Sequence, residues 1–308
     1  MAILLNPVLE RIYVLDSLKY GNRNFSEKVF EVPSASGIVI ARVAKVLGKE
    51  VLVCGFTGKL VGEIIKEKLQ QEGIHAYFTK IRDSSRIATT IIEKDKNRQT
   101  MVVDLSPHVS KQELSRFERG LDEHIEKSDI IVIGGSLPRG IPPDFYAQLV
   151  KKFKYKGKRV ILDSRGSPFF EAVKERPDIV KFDRNQIQEF IGINKPSLDQ
   201  VLDFAWRLHI EGVDIVIVSL EEKGTIIAYD EKMVQAIPPK IRVANLFGSG
   251  DAFIAGFTIG IIENRTMTNV IKLAMSCALT NAMSVIPGQV EYSDIKKLFK
   301  RIKVKNLK

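Results

Sequence analysis

From Lys111 onward, short apolar runs alternate with amphipathic stretches, and that alternation constrains the fold more than any other feature of the chain. Expected strands at 130–133, 159–163, 179–182 and 213–219 are separated by expected helices at 111–127, 144–153, 168–175, 185–190 and 198–210. Strands spaced by helices of this length pair in parallel, because each crossover must cover a face of the sheet. The pattern predicts the α/β class: a doubly wound, mostly parallel sheet with helices on both faces. Two further runs, 225–230 and 233–237, read as a hairpin turning at Asp230-Glu231. Helices are expected at 267–284 and from Ser293.

The first hundred residues break this rhythm. A strand at 2–5, a helix at 37–47, a strand at 50–56, a helix at 62–72 and a strand at 76–80 extend the main sheet. Four extended runs, 9–18, 24–32, 87–93 and 99–105, have no helix beside them, and the turn DKNRQ joins the last two. They are expected to form a small sheet standing apart, inserted in a single unit spanning 1–308.

The 308 residues, 44% hydrophobic, are enough for one large core. Cys54 and Cys277 lie far apart in apolar surroundings, as buried thiols of a reducing cytoplasm do. Pro7 and Glu10 interrupt the run a signal peptide would need, and no apolar stretch reaches the length of about 18 residues that a membrane span requires. Part of the net charge of +10 is local to the tail KKLFKRIKVKNLK, read as a Lys-rich terminal helix with a solvated face. It carries no nucleic-acid motif or aromatic platform, so nucleic acid is not an expected partner. A basic balance suits phosphorylated anions instead.

The stretch Asn245–Gly260, NLFGSGDAFIAGFTIG, carries the chemistry. Ala252, Ala255, Gly256 and Gly260 fall at near-helical spacing, so a helix is expected to begin near Gly250. A helix N-terminus presents unsatisfied N–H groups, and glycines there let a phosphate approach. Asp251 is read either as an N-cap or as a functional acid. In parallel sheets ligands gather at the carboxyl ends of strands, where Ser136, Asp163, Ser219 and Gly248–Asp251 fall.

LNPVLER, GSLPRGIPPDFY, LDSRG, VSLEEKG and NLFGSGDAFIAGF together resemble the PfkB (ribokinase-like) carbohydrate kinase family, in its 1-phosphofructokinase and tagatose-6-phosphate kinase branch. The resemblance implies a β-sheet lid, ATP as phosphoryl donor, Mg2+, and an alcohol group of a sugar phosphate as acceptor. Phosphoryl transfer needs donors for the developing charge and a base for the hydroxyl proton. The N–H groups of Gly248, Ser249 and Gly250 are assigned the first task and Asp251 the second. Lys181 and Asp183 would face the nucleotide phosphates, Ser219 and Gly224 would lie at the nucleotide pocket, and Ala278 and Asn281 would either line the adenine slot or simply pack. Glu10, Ser36, Gly37, Arg86, Asp104 and Ser136 are the expected acceptor contacts. The resemblance further implies a homodimer formed through the lid.

The departures from the family pattern cluster on the acceptor side. Ser34–Val39 keeps only the last glycine of Gly-Gly-Lys-Gly, Glu10 stands for Asp, Ala88 for Asn, and Val103–Pro107 for Asn-Glu-Pro-Gly-Pro. On the nucleotide side Gln186 replaces the Glu that orders Mg2+ through water. Two alternatives therefore stay open: a kinase of a less polar or unphosphorylated acceptor, and a catalytically degenerate nucleotide-binding regulator.

Overall fold

In the computed structural model, which describes residues 1–96 and 98–308, the chain alternates as follows. The first part runs β1 (Ala2–Leu4), β2 (Val8–Leu15), β3 (Lys28–Ser34), α1 (Ser36–Val46), β4 (Val53–Gly58), α2 (Lys59–Gln71) and β5 (Ala76–Ile81). Then come β6 (Arg86–Glu93), β7 (Arg98–Val103), α3 (Lys111–Ile125), β8 (Ile130–Gly135), α4 (Phe145–Tyr155), β9 (Arg159–Ser164) and α5 (Gly166–Lys174). The rest is β10 (Ile179–Asp183), α6 (Arg184–Ile191), α7 (Leu198–Ile210), β11 (Ile215–Ser219), β12 (Thr225–Tyr229), β13 (Lys232–Ile237), α8 (Ser249–Ile262), α9 (Met267–Met283), α10 (Tyr292–Phe299) and β14 (Lys303–Asn306).

Among the described residues the main sheet has the order β14-β13-β12-β11-β10-β9-β8-β1-β4-β5. From β5 to β11 every pairing is parallel, and β12, β13 and β14 run antiparallel. The chain leaves β1 towards β4 and β5, then returns to build outward from β8. This reversal beside β1 opens a crevice at the carboxyl ends of the strands. Residues such as Ile133, Val160, Leu162, Val180 and Val216 are buried, as two covered faces require.

The four helix-free runs form the expected second sheet, ordered β3-β2-β6-β7. Its boundaries differ from the sequence reading. Residues 16–18 and 24–27 leave the expected strands, since β2 ends at Leu15 and β3 begins at Lys28; between them Asn24 closes a loop on Lys19, accepting its N–H at 2.8 Å and donating to its carbonyl at 2.9 Å. Asn97, inside the expected turn 95–99, lies outside the described residues. The basic tail also needs correction: α10 ends at Phe299, and β14 pairs with β13 as an edge strand. Val304 is half-buried between exposed Lys303 and Lys305, and lysines along an open edge discourage pairing with another chain.

Helix α8 is apolar on all sides because it is buried on all sides, from Ala252 to Gly260. A Cβ on Gly256 would lie 2.9 Å from Ala274 Cα, and one on Gly260 would lie 3.0 Å from Val270 Cα. These glycines let α8 approach α9 closely, which fixes where its N-terminus points. No helix among the described residues is long and apolar enough to cross a membrane.

Candidate active site

Gly248 caps α8 in the left-handed conformation (φ 81°), which glycine adopts without steric cost. The turn behind it is held by buried amides. Asn281 donates to Phe247 O at 2.9 Å and to Ser249 Oγ at 3.2 Å, and its own oxygen accepts Gly288 N–H at 2.7 Å. Asn281 therefore supports the turn and has no polar group left for an adenine ring. Ser249 N–H is spent on Leu246 O at 3.2 Å, which removes it from the expected anion hole. Gly250 and Asp251 lie in the first helical turn, where N–H groups lack intrahelical partners, and the carbonyls of Leu246 and Phe247 one turn back are taken by Ser249 N–H and Asn281.

Two adjacent strands bring charge to this turn. Lys181 on β10 is buried, with Nζ 3.0 and 3.1 Å from the two oxygens of Asp163 on β9. A Cβ on Gly250 would meet that Nζ at 2.9 Å, so the ammonium sits against the start of α8. Asp251 is raised to about 6, first by burial and then by the Asp163 carboxylate, while Ser36, Lys181 and Arg165 pull it down. A carboxyl held near that value can take a hydroxyl proton at neutral pH.

Asp183 caps α6 in a capping box: its carboxylate accepts Gln186 N–H at 2.8 Å, and Gln186 Oε1 accepts Asp183 N–H at 2.7 Å. Gln186 Nε2 donates to Ser164 O at 2.6 Å. Both ends of that amide are thus engaged inside the fold, with Oε1 on Asp183 N–H and Nε2 on Ser164 O. Asp183 keeps its second oxygen towards the crevice, 3.5 Å from Arg165. No group of three His, Cys, Asp or Glu among the described residues could cage a metal. A cation here would depend on phosphate oxygens, as Mg2+ commonly does. Ser219 ends β11 beside Asp183 in register. Gly224 follows at φ 89°, where a Cβ would strike Ala236 O at 1.9 Å. Ala278 is partly buried against the α8–α9 core.

Across the crevice the lid meets the end of β1. Asn6, buried, donates from Nδ2 to Ser106 Oγ at 2.7 Å and to Ser136 Oγ at 3.2 Å, and its carbonyl accepts Arg86 Nη2 at 2.8 Å. The sequence reading gave this residue no role of its own. Burial pushes the Arg86 guanidinium below its ordinary pKa, and nearby Asp104 opposes that. Asp104 also accepts Ile87 N–H at 3.0 Å. Glu10, fully buried on β2, accepts the Thr90 hydroxyl at 2.6 Å. Gly37 also packs closely, since a Cβ there would press Leu4 Cβ at 3.0 Å. Ala35, just before α1, sits at φ 138° without being glycine, a strain of about 1–3 kcal/mol concentrated beside the site.

Four buried side-chain atoms among the described residues lack any hydrogen-bond partner: Asn6 Oδ1, Glu10 Oε2, Ser36 Oγ and Arg86 Nε. All four belong to the lid side of the crevice and the start of α1. Unpaired buried polar atoms cost about 1–3 kcal/mol each, so a cluster of them marks a place built for a polar ligand.

A family model described as pfkB family carbohydrate kinase matches residues 29–285. Among solved structures, a "possible 1-phosphofructokinase" of Thermotoga maritima superposes with a TM-score of 0.92 at 24% identity, covering 100% of this chain and 99% of its own. Phosphofructokinase-2 of Escherichia coli in complex with fructose-6-phosphate gives 0.85 at 21% identity, covering 97% of both chains. Its tetrameric inhibited form gives 0.87 at 20% identity, again covering 97% of both. These likenesses establish the fold, lid included.

Proposed function

The chain belongs to the pfkB family of carbohydrate kinases, and on that premise we propose that it transfers the γ-phosphoryl group of ATP to an alcohol group of a sugar phosphate. The observation that carries the acceptor half is the cluster of unpartnered atoms on Asn6, Glu10 and Arg86, beside the Ser36 hydroxyl that lies against Asp251. It combines acceptors for sugar hydroxyls with a guanidinium N–H for an anion, the set a phosphorylated sugar would satisfy. E. coli phosphofructokinase-2, of the same fold, has been solved with fructose-6-phosphate bound.

Asp251 takes the proton of the attacking hydroxyl as the oxygen–phosphorus bond forms and the bond to the ADP leaving group breaks. Gly250 and Asp251 N–H groups, with the α8 dipole, receive the charge that spreads over the transferring phosphoryl oxygens. Lys181 turns from Asp163 towards the nucleotide phosphates, and Ser219 and Gly224 border the nucleotide. Mg2+ accompanying ATP would be held by phosphate oxygens and the outward oxygen of Asp183, and would neutralise phosphate charge.

The same proposal places the protein in the cytoplasm, in keeping with two buried cysteines, both pushed up to about 12 by burial and so poor nucleophiles. It also includes a homodimer through the outward lid face, where exposed Val29 lies in register with Tyr13 and Ile91, and exposed Val102 with Thr89, Arg11 and Glu31.

ADP release from ATP and Mg2+, measured over a panel of free and phosphorylated sugars, tests the reading. Turnover confined to phosphorylated acceptors supports it. Turnover only on unphosphorylated ones moves the assignment to a different acceptor, and nucleotide binding without any turnover moves it to a regulator.

A further inference from the structure

One side chain joins the lid to the anion-binding turn. Gln99 lies on β7, on the lid face turned to the crevice, since its register partner Ile92 shares that face with Thr90 and Ala88. Its Oε1 accepts Leu246 N–H at 3.0 Å and its Nε2 donates to Ala244 O at 3.4 Å. A side-chain amide offers a donor and an acceptor from one planar group, so it can pair with a strip of backbone as a neighbouring strand would. The strip it grips leads directly into Gly248. Leu246, whose N–H Gln99 holds, gives its carbonyl to Ser249 N–H at 3.2 Å and so closes the turn itself. Around it the backbone is already anchored to the core. Asn245 is fully buried, donates to Val285 O at 2.7 Å and accepts Phe247 N–H at 2.9 Å, and Ala244 N–H donates to Ala282 O at 2.7 Å.

We infer that Gln99 is a positioning residue that couples the seating of the lid to the geometry of the Gly248–Asp251 anion hole. With the lid seated, the two Gln99 bonds hold residues 244–246 and, through Leu246, the turn that aims the N–H groups of Gly250 and Asp251. A lid swung away gives up both bonds and loosens the turn, which Asn245 and Asn281 then anchor without it, so the hole is held most firmly over a covered acceptor. The coupling rests on the kinase reading of the site, and it would suppress transfer of the phosphoryl group to water.

Gln99→Leu keeps the size of the side chain and removes both bonds. The expected results are about ten-fold lower kcat for phosphoryl transfer at an unchanged KM for ATP, and a larger share of turnover lost to ATP hydrolysis. Amide hydrogen exchange should accelerate across 244–250 and stay unchanged in α9. Gln99→Glu, which keeps the acceptor for Leu246 N–H and loses the donor to Ala244 O, should fall between. Wild-type kcat and partition, or unchanged exchange at 244–250, in Gln99→Leu would overturn the coupling. A wild-type protein without transfer activity would instead count against the kinase reading, and the exchange measurement would still decide whether Gln99 holds the turn.

Discussion

Asp251 carries the account at the scale of single residues, and its environment sets a cost as well as a role. An aspartate ionises near 3.8 when unfolded, and here the folded value is about 6. Folding therefore disfavours the charged form. The penalty is absent below about pH 3.8, grows as pH rises, and is complete above about 6. Asp251→Asn should thus be more stable than the wild type at pH 8, by on the order of 1–3 kcal/mol, and nearly equal to it at pH 4. Thermal unfolding at the two pH values measures this, and an Asn variant less stable at pH 8 would contradict it. The glycines and Asp251 were legible in the sequence because they are consecutive, and one local turn explains them all. Asp163 and Lys181 could not be read as a pair, because they meet through the register of β9 and β10, which no local pattern records. Asn6 is similar: its partners Ser106 and Ser136 are a hundred or more residues away. Gln186 illustrates the opposite failure. Alignment with a metal-ordering position gave it a role, whereas its side chain is committed to a capping box that its own neighbour Asp183 creates.

Among the elements, the lid strands were readable from their lack of adjacent helices, and α8 from its small and apolar residues. The tail strand β14 escaped because it has only four residues, three of them polar. Within the lid, Glu93 ties the strand end to the loop that follows β2. It is held at about 2, first by the Arg98 guanidinium at 2.6 Å and then by Leu18 N–H at 3.0 Å. Its folded pKa lies below the ordinary 4.5, so its stabilisation is present above about 4.5 and is lost as pH falls through about 2. Glu93→Gln should therefore expose residues 16–27 to proteolysis at pH 7, and the difference from wild type should shrink as pH falls from 4.5 towards 2. Equal cleavage at pH 7 would show that the loop does not depend on this carboxylate.

For the whole molecule, the reversal of strand order beside β1 decides where ligands gather. The carboxyl ends of β1, β8, β9, β10 and β11 supply Asn6, Ser136, Asp163, Asp183 and Ser219 to one crevice, and the lid covers it. The outward lid face exposes Val29 and Val102 beside the ion pair of Arg11 and Glu31. Sedimentation should show a dimer that Val102→Glu disperses, because a charge buried in such a contact would be unpaired. A wild-type monomer at micromolar concentration would remove the lid dimer without touching the chemistry.

That chemistry is tested most directly by the pH dependence of phosphoryl transfer from ATP to a phosphorylated sugar, in the wild type and in Asp251→Asn. The account predicts kcat/KM rising with pH through about 6 and then levelling, with Asp251→Asn lowering it by about 10²-fold or more above that pH and by less as pH falls below it. Transfer that shows no acidic limb near that value, or that survives Asp251→Asn undiminished, would contradict it.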